Sequence, residues 1–323
     1  MGKDGYIRKA SHSGSWYTKS GEVLRKQLSE WLLEASSTSS STPSQRCVKA
    51  LIAPHAGYSY SGPTAAHAYM HLDPSVIQRV FILGPSHHVY LRACAVSGAS
   101  VCETPVGPLS VDEAVRAELL ADPLFQTMAQ RVDEDEHSIE MHLPYVAHLV
   151  GEVQGVSIVP ILVGSLDPAQ EAVYGRILAK YLSDPANLFI VSTDFCHWGR
   201  RFQYQPFDRA HGEDIHEYIE WLDRQGMALI EQGDPQAFTT YLRQYRNTIC
   251  GRHPLGVFLQ AAQALREGGK EGLDVEVEFV RYAQSSRCMH ETDSSVSYAS
   301  AVATTLMAGK DARGNGGAKP VMT

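Results

Sequence analysis

In the segment ALIAPHAGYSYSGPTAAHAY (residues 50–69), a continuous apolar run stops abruptly at Pro54, and a histidine, His55, follows the break. The segment RVFILGPSHHVY (residues 79–90) repeats this pattern and brings His87 to the end of a second apolar run. Short apolar runs rich in β-branched residues predict buried strands. Two strands are therefore predicted to end in a tight elbow that carries a histidine.

A third strand ends in the same way, because the segment FIVSTDFCHWG (residues 189–199) leaves its apolar run at Asp194 and then reaches His197. The predicted strands cover residues 48–54, 79–83, 156–163, 188–193, 275–283 and 296–304, and the predicted helices cover 167–181, 208–222 and 254–266. Continuously apolar strands separated by helices predict an α/β fold with a central sheet covered on both faces. Ligands of such sheets bind outside the carboxyl ends of the strands. We therefore expect the three elbows to meet at one site.

The rest of the chain predicts a single domain over residues 1–323, without a linker or an internal repeat. The Ser/Thr-rich stretch at residues 35–45 predicts a flexible insertion, and residues 308–323 predict a disordered tail. The formal charge, 28 basic minus 36 acidic residues, is −8. This charge argues against nucleic-acid partners, and no apolar run approaches the roughly 18 residues of a membrane span.

Six scattered cysteines without a CxxC pair predict free thiols in a reducing compartment. Since no signal-peptide core is present, we expect a cytoplasmic protein, with the nucleus as a second location. In NTICGRHPLGV (residues 247–257), Cys250 precedes a helix and has Arg246 and Arg252 close in sequence. Helix starts and positive charges favour the thiolate form. Cys250 is therefore predicted to be the most reactive thiol, whereas Cys47, Cys94, Cys102 and Cys288 are predicted to be inert.

The segment DEDEHSIEMHLPY (residues 133–145) concentrates acids and histidines but lacks the HExxH spacing of zinc proteases. On one continuous helix, Glu136 and His137 would each neighbour Glu140, and His142 would point elsewhere. We interpret this segment as the start of a helix that supports the residues of the site without itself contacting a ligand.

Several long segments in the same order are similar to the Memo family: SHSGSWYT, APHAGYSYSG, GPSHHV, DEDEHSIEMHLPY, VSTDFCHWG, NTICGRHPLGV and YAQSS. The resemblance extends from about residue 8 to residue 305. Memo proteins are similar in fold to class III extradiol dioxygenases, which are non-haem iron enzymes. The resemblance therefore implies one α/β domain with a central mixed sheet flanked by helices.

Those dioxygenases hold iron with two histidines and a glutamate. The resemblance implies that His55 and His87 are the metal-ligating histidines and that Cys250 occupies the position of the glutamate. It also makes His197 the counterpart of the acid/base histidine, with Asp194 beside it.

A thiolate ligand keeps the negative charge of a carboxylate but is softer and can be oxidised. The expected cofactor is an iron or copper ion, with zinc also compatible, and no nucleotide cofactor. The exchange of the glutamate ligand for Cys250 also disfavours ring-cleaving dioxygenation. The first hypothesis is a metal-dependent redox protein, and the sequence leaves open whether it is an enzyme.

Two alternatives remain open. The same cleft, lined by Trp16, Tyr58 and Tyr60, would bind a peptide or phosphotyrosine partner, since the family is associated with receptor tyrosine kinase signalling and cell motility. A thiol enzyme would instead use Cys250 with His197 and Asp194.

Overall fold

The computed structural model describes residues 5–38, 46–151, 155–268 and 273–306. Within these ranges the strands are β1 (Tyr6–Arg8), β2 (Arg46–Ala53), β3 (Arg79–Pro85), β4 (Cys94–Val96), β5 (Ala99–Cys102), β6 (Leu109–Ser110), β7 (Phe125–Thr127), β8 (Ser157–Val163), β9 (Asn187–Ser192), β10 (His197–Gly199), β11 (Glu276–Gln284) and β12 (Ser294–Leu306). The helices are α1 (Gly21–Thr38), α2 (Tyr58–Tyr69), α3 (Glu113–Leu120), α4 (Gln130–Asp135), α5 (His137–Glu140), α6 (Leu143–Val150), α7 (Pro168–Ser183), α8 (Ile215–Glu231), α9 (Pro235–Tyr245) and α10 (Arg252–Glu267).

The main sheet of the described residues has nine strands in the order β10-β12-β2-β9-β3-β8-β4-β7, and β11 also pairs with β12. The four central strands β2, β9, β3 and β8 are parallel neighbours, while β12 and β4 pair antiparallel with their neighbours β2 and β8. The predicted α/β architecture with a central mixed sheet is confirmed. Because the central strands are parallel, their carboxyl ends lie at one edge.

Side chains of the central strands alternate between two apolar cores. In β2, Ala50 and Ile52 face one core, whereas Leu51 and Ala53 face the other, as the two-residue period of a strand requires. Helices α7, α8, α9 and α10 contribute to the first core, and α1, α2 and α6 to the second. The sheet is thus covered on both faces. Among the described helices, none has the length and apolarity needed to span a membrane.

Two sequence predictions differ from the structure. The helix predicted over residues 208–222 is wrong at both ends, because α8 spans Ile215–Glu231 and begins where the carboxylate of Glu217 accepts the backbone N–H of Asp214 at 3.2 Å. Helix α1 extends through Thr38, so the first four residues of the predicted insertion at 35–45 are helical, and Ala35 is buried. The remainder of that insertion and the predicted tail at 308–323 lie outside the described residues.

Candidate metal centre

Three neighbouring strands bring polar side chains to one edge of the sheet. Strands β2, β3 and β9 end at Ala53, Pro85 and Ser192, and His55, His87 and Asp194 each lie two residues further along. The rings of His55 and His87 are 5.1 Å apart between centroids. The backbone N–H of His55 donates to Oδ1 of Asp194 at 2.8 Å. The structure therefore brings the three predicted elbows together.

Two overlapping groups of potential metal ligands share His55. The first group is His55, His87 and His137, and the second is His55, Asp194 and Cys250; within each group the donor atoms lie within 4.8 Å of one another. The Sγ atom of Cys250 is 3.1 Å from Nε2 of His55. Among the described residues, no group of this size contains His87 and Cys250 together. His55 is the donor common to both arrangements.

The hydroxyl of Ser192 fixes the tautomer of His55. It donates its single hydrogen to the carbonyl oxygen of Ser138 at 2.7 Å, so it must accept from Nδ1 of His55 at 2.6 Å and from Nε2 of His142 at 2.7 Å. Burial lowers the pKa of His55 well below its ordinary value. The neutral ring therefore carries its proton on Nδ1, which leaves the Nε2 lone pair facing Cys250.

Glu136 orients His87 from the opposite side. Its carboxylate accepts from Nδ1 of His87 at 2.9 Å and from the backbone N–H groups of His87 and Ser138. Burial raises the pKa of Glu136, but the hydrogen bonds from His87 and Ser138 outweigh this effect and hold the pKa at about 2. A histidine whose Nδ1 is held by a carboxylate is the usual arrangement of a metal-bound imidazole.

His137 joins the site because the acidic segment is not one continuous helix. Helix α4 ends at Asp135, the backbone of Glu136 is extended, and α5 begins at His137. The ring of His137 stacks on His87 with centroids 4.3 Å apart. Burial and the neighbouring His87 lower the pKa of His137 to about 3. The sequence predicted only a supporting position for His137. The one signal in the sequence for a place in the site was its position next to Glu136.

The prediction of an easily ionised Cys250 is wrong for the protein without metal. Cys250 does precede α10, but burial and the nearby negative charge of Asp194 raise the pKa of its thiol. The backbone N–H of Asp194 donates to Sγ at 3.1 Å, which offsets only part of this effect. Arg246 and Arg252 line a separate pocket rather than the site.

His197 opens β10 and faces the same cleft. Its Nδ1 lies 2.9 Å from the carbonyl oxygen of Phe195 and 3.1 Å from that of Thr248. Carbonyl oxygens only accept hydrogen bonds, so Nδ1 carries the proton and Nε2 of the neutral ring is a proton acceptor. Burial raises the pKa of the neighbouring Asp194 carboxyl. The pair thus places an acceptor nitrogen and a buried carboxyl beside the two ligand groups.

The site opens into a cleft of about 430 Å³. Trp16 lines the cleft, with its ring 4.4 Å from that of His137, and Arg201 and Phe202 line another part of its wall. The structure does not bring Tyr58 into the cleft. Tyr58 is 3% exposed, and its hydroxyl donates to the carbonyl oxygen of Met141, because its position on α2 faces the core. Tyr60 is 64% exposed and lies outside the cleft lining.

A buried ion-pair network holds Trp16 in place. Arg8 is fully buried and donates to both Asp133 and Glu140. Glu140 in turn accepts the backbone N–H of His12 at 2.8 Å and the hydroxyl of Tyr17 at 2.8 Å. The segment that carries Trp16 is therefore fixed at both ends by one carboxylate. Its position beside His137 depends on residues more than a hundred positions away in sequence.

Comparisons with known proteins bear on the family of this chain. The family described as Memo-like protein matches residues 8–302. Protein MEMO1 of Danio rerio is 53% identical over 293 residues, covering 90% of this chain and 95% of that protein. Protein MEMO1 of Homo sapiens is 50% identical over 298 residues (92% and 97%), and the memo-1 homolog of Caenorhabditis elegans is 46% identical over 297 residues (92% and 82%). An uncharacterized Escherichia coli K12 protein of known structure aligns with a TM-score of 0.46 and 14% identity, covering 77% of this chain and 98% of that one. From the family match and the extent of these identities, the chain belongs to the Memo family.

Proposed function

We propose that this protein binds a transition-metal ion, iron or copper with zinc also compatible, and acts as a metal-dependent redox protein. One observation carries the proposal: the unprotonated Nε2 of buried His55 lies 3.1 Å from the sulfur of Cys250, beside Asp194. Neutral imidazole and thiolate are the donors that these metals prefer. The resemblance to non-haem dioxygenases points the same way.

The donor set fits such an ion. The Nδ1 atoms of His55 and His87 are engaged by Ser192 and Glu136, so both rings have Nε2 available as the ligand atom. Burial keeps His55 and His137 in the neutral form that binds metals. Since His55 belongs to both ligand groups, we expect it to contribute the largest part of the metal-binding affinity.

A bound iron or copper ion would supply one-electron chemistry at the cleft. The chain's own residues would then handle substrate and protons. Nε2 of His197 would accept a proton, and Trp16 and Phe202 would provide apolar walls. Because Cys250 can be oxidised, ring cleavage is not part of this proposal.

A second candidate function is capture of a peptide or phosphotyrosine partner in the same cleft. The observation that favours it is Arg201, whose guanidinium lies 4.4 Å from the ring centroid of Phe202 on the cleft wall. An arginine among aromatic side chains can pair with a phosphate group while the rings contact an aromatic ligand. The roles in receptor signalling and cell motility that the resemblance implies belong to this candidate.

Elemental analysis tests the metal proposal, on protein purified without a metal-binding tag. We expect His55→Ala to lose the metal and Cys250→Ser to hold less of it, whereas Cys47→Ser and His290→Ala should match the wild type. Comparing His87→Ala with His137→Ala tells which histidine shares the ion. Wild-type metal content in His55→Ala would refute the proposed site.

Calorimetry with a phosphotyrosine peptide and its unphosphorylated form tests the second candidate. Phosphate-dependent binding that is lost in Arg201→Gln and Trp16→Ala would support partner capture. Equal affinity for the two peptides would refute this second candidate function.

A further inference from the structure

A second pocket, of about 380 Å³, lies between helices α7, α9 and α10. Its lining residues are different from those of the metal cleft. It borders the segment 246–252, which also carries Cys250, and Thr248 from this segment lines the pocket. The pocket and the candidate metal centre therefore share the segment 246–252 but have separate linings.

Positive charge dominates this second pocket. Arg243, Arg246 and Arg252 line it, and within the described residues none of them forms an ion pair with a carboxylate. Glu171 also lines the pocket, where burial raises its pKa and its carboxylate contacts Nδ1 of His253 at 2.8 Å. Three guanidinium groups minus one carboxylate leave a local charge of about +2, in a chain whose net charge is −8.

The backbone conformation at Arg246 indicates that its side chain serves a function. Arg246 ends α9 in the left-handed conformation, with φ 52° and ψ 31°. Glycine is the usual residue at such helix ends, because a Cβ atom is unfavourable there. An arginine at this position has the unfavourable Cβ atom, but it places a third guanidinium group at the pocket.

Asn247 offers an unsatisfied acceptor in the same lining. It is 4% exposed, and its Nδ2 donates to Asp223 at 2.9 Å and to the hydroxyl of Tyr241 at 2.8 Å, which fixes the orientation of the amide. Its buried Oδ1 has no hydrogen-bond partner. A water between this oxygen and the ligand would donate one hydrogen to Oδ1 and the other to a phosphate oxygen. The amino-terminal end of the 16-residue helix α10, at Arg252, adds a favourable dipole for an anion.

We propose that this pocket binds a small phosphate monoester that carries an apolar group. The dianionic phosphate matches the local charge of about +2, and guanidinium groups pair with phosphate through parallel hydrogen bonds. Leu166, Phe238 and Leu242 form the apolar part of the lining and would contact the organic group. The proposal is independent of any metal at the first site.

Calorimetric titration of the full chain with n-butyl phosphate and with inorganic phosphate tests this proposal. We expect saturable binding of n-butyl phosphate that is tighter than that of inorganic phosphate and weakens as salt is added. Arg246→Gly and Arg252→Gln should each lower the affinity about tenfold, since each removes a charge-assisted contact. Arg246→Gly is suited to the test because glycine readily adopts the left-handed conformation.

Arg209→Gln is the matched control, because Arg209 is exposed and lines neither pocket. Its affinity for n-butyl phosphate should equal that of the wild type, and urea unfolding confirms that each variant is folded. Unchanged affinity in both pocket variants, or a loss confined to a variant of the metal cleft such as Arg201→Gln, would overturn the proposal. Equal affinities for n-butyl phosphate and inorganic phosphate would overturn its apolar part.

Discussion

The carboxylate of Glu136 contacts His87 twice: Oε1 lies 2.9 Å from the ring Nδ1, and Oε2 accepts the backbone N–H at 2.8 Å. The side chain of Glu136 is 1% exposed, whereas that of His87 is 26% exposed. A buried group on one segment thus fixes a more accessible ring on another. His87 owes its orientation to this carboxylate as much as to its own strand.

Replacing Glu136 with glutamine should lower metal affinity while leaving every ligand atom in place. The amide keeps the size of the carboxylate but loses the charge that strengthens the His87 imidazole as a donor, and it loses one of the two oxygens that accept from His87. Such changes typically reduce affinity about 10–100-fold. Competition with a coloured chelator measures the dissociation constant. The control is Glu118→Gln, at a surface position. Equal affinity in Glu136→Gln and wild type would contradict the role given to this carboxylate.

Cys47 should be alkylated before Cys250 in metal-free protein at pH 7. Both cysteines are partly exposed while the other four are buried, but burial and Asp194 raise the pKa of the Cys250 thiol. Thiolate is the reacting form, so a raised pKa slows the reaction. Mass-spectrometric mapping after brief treatment with substoichiometric iodoacetamide gives the order. Prior labelling of Cys250 would mean that its surroundings are more polar than the structure indicates.

Metal binding should release a proton from Cys250. Because its thiol is protonated at pH 7, ligation as thiolate requires loss of about one proton. Calorimetric titrations with the metal in buffers of different ionisation enthalpy count the protons released. Cys250→Ser should release about one fewer than wild type or Cys47→Ser. Equal proton release in all three proteins would exclude the thiolate as a ligand.

His142 should make the protein less stable as the pH falls. Burial lowers its pKa to about 3, whereas in the unfolded chain the value is about 6.5. Its contribution is fully present above about pH 6.5 and is lost as the pH falls toward 3, because only the unfolded state takes up the proton. The slope is at most about 1.4 kcal/mol per pH unit.

Urea unfolding between pH 7 and pH 4 measures this slope. His142→Gln should flatten it relative to wild type, whereas His290→Gln, at an exposed position, should leave it unchanged. An equal slope in His142→Gln and wild type would show that other groups carry the acid sensitivity.

His197→Gln should retain the metal but lose turnover, if the protein consumes oxygen in the presence of catechols or simple reductants. A well-placed acid/base group contributes about 10²–10⁴-fold to a rate. Oxygen uptake and metal content are measured on the same iron-loaded and copper-loaded samples, with His55→Ala as the variant that loses metal. Equal rates in wild type and His197→Gln would remove its catalytic role. Rates no higher than those of free metal would favour partner capture.

The strands and their terminal histidines could be predicted because their signals are local. An apolar run and the elbow that follows it lie within about ten residues, and parallel strands necessarily bring such elbows to one edge. The position of His137 could not be predicted in this way. It depends on the extended backbone of Glu136, which interrupts what reads as a single helix.

The errors concerning Tyr58 and Cys250 have a common physical cause. Tyr58 lies in a segment rich in aromatic residues, but the packing of α2 decides which of them face the core. The helix after Cys250 is visible in the sequence, whereas the burial of its thiol and its contact with Asp194, 56 residues away, are tertiary facts. Local sequence gives the identity of a side chain and its neighbours along the chain, but not the dielectric surroundings that set its pKa.

The candidate ligands of the proposed metal centre lie on separate segments of the backbone. His55 and His87 follow two different strands, His137 begins α5, and Cys250 lies in the turn between α9 and α10, outside the hydrogen-bonded ladder of the sheet. An exchange of one donor therefore changes the ligand set without altering the sequence of the segments that carry the others. A single replacement at position 250, from thiol to carboxylate or back, alters the hardness of the ligand set without rebuilding the scaffold. Such a fold can diversify its chemistry one side chain at a time, and the turn before α10 is the place where that change is easiest.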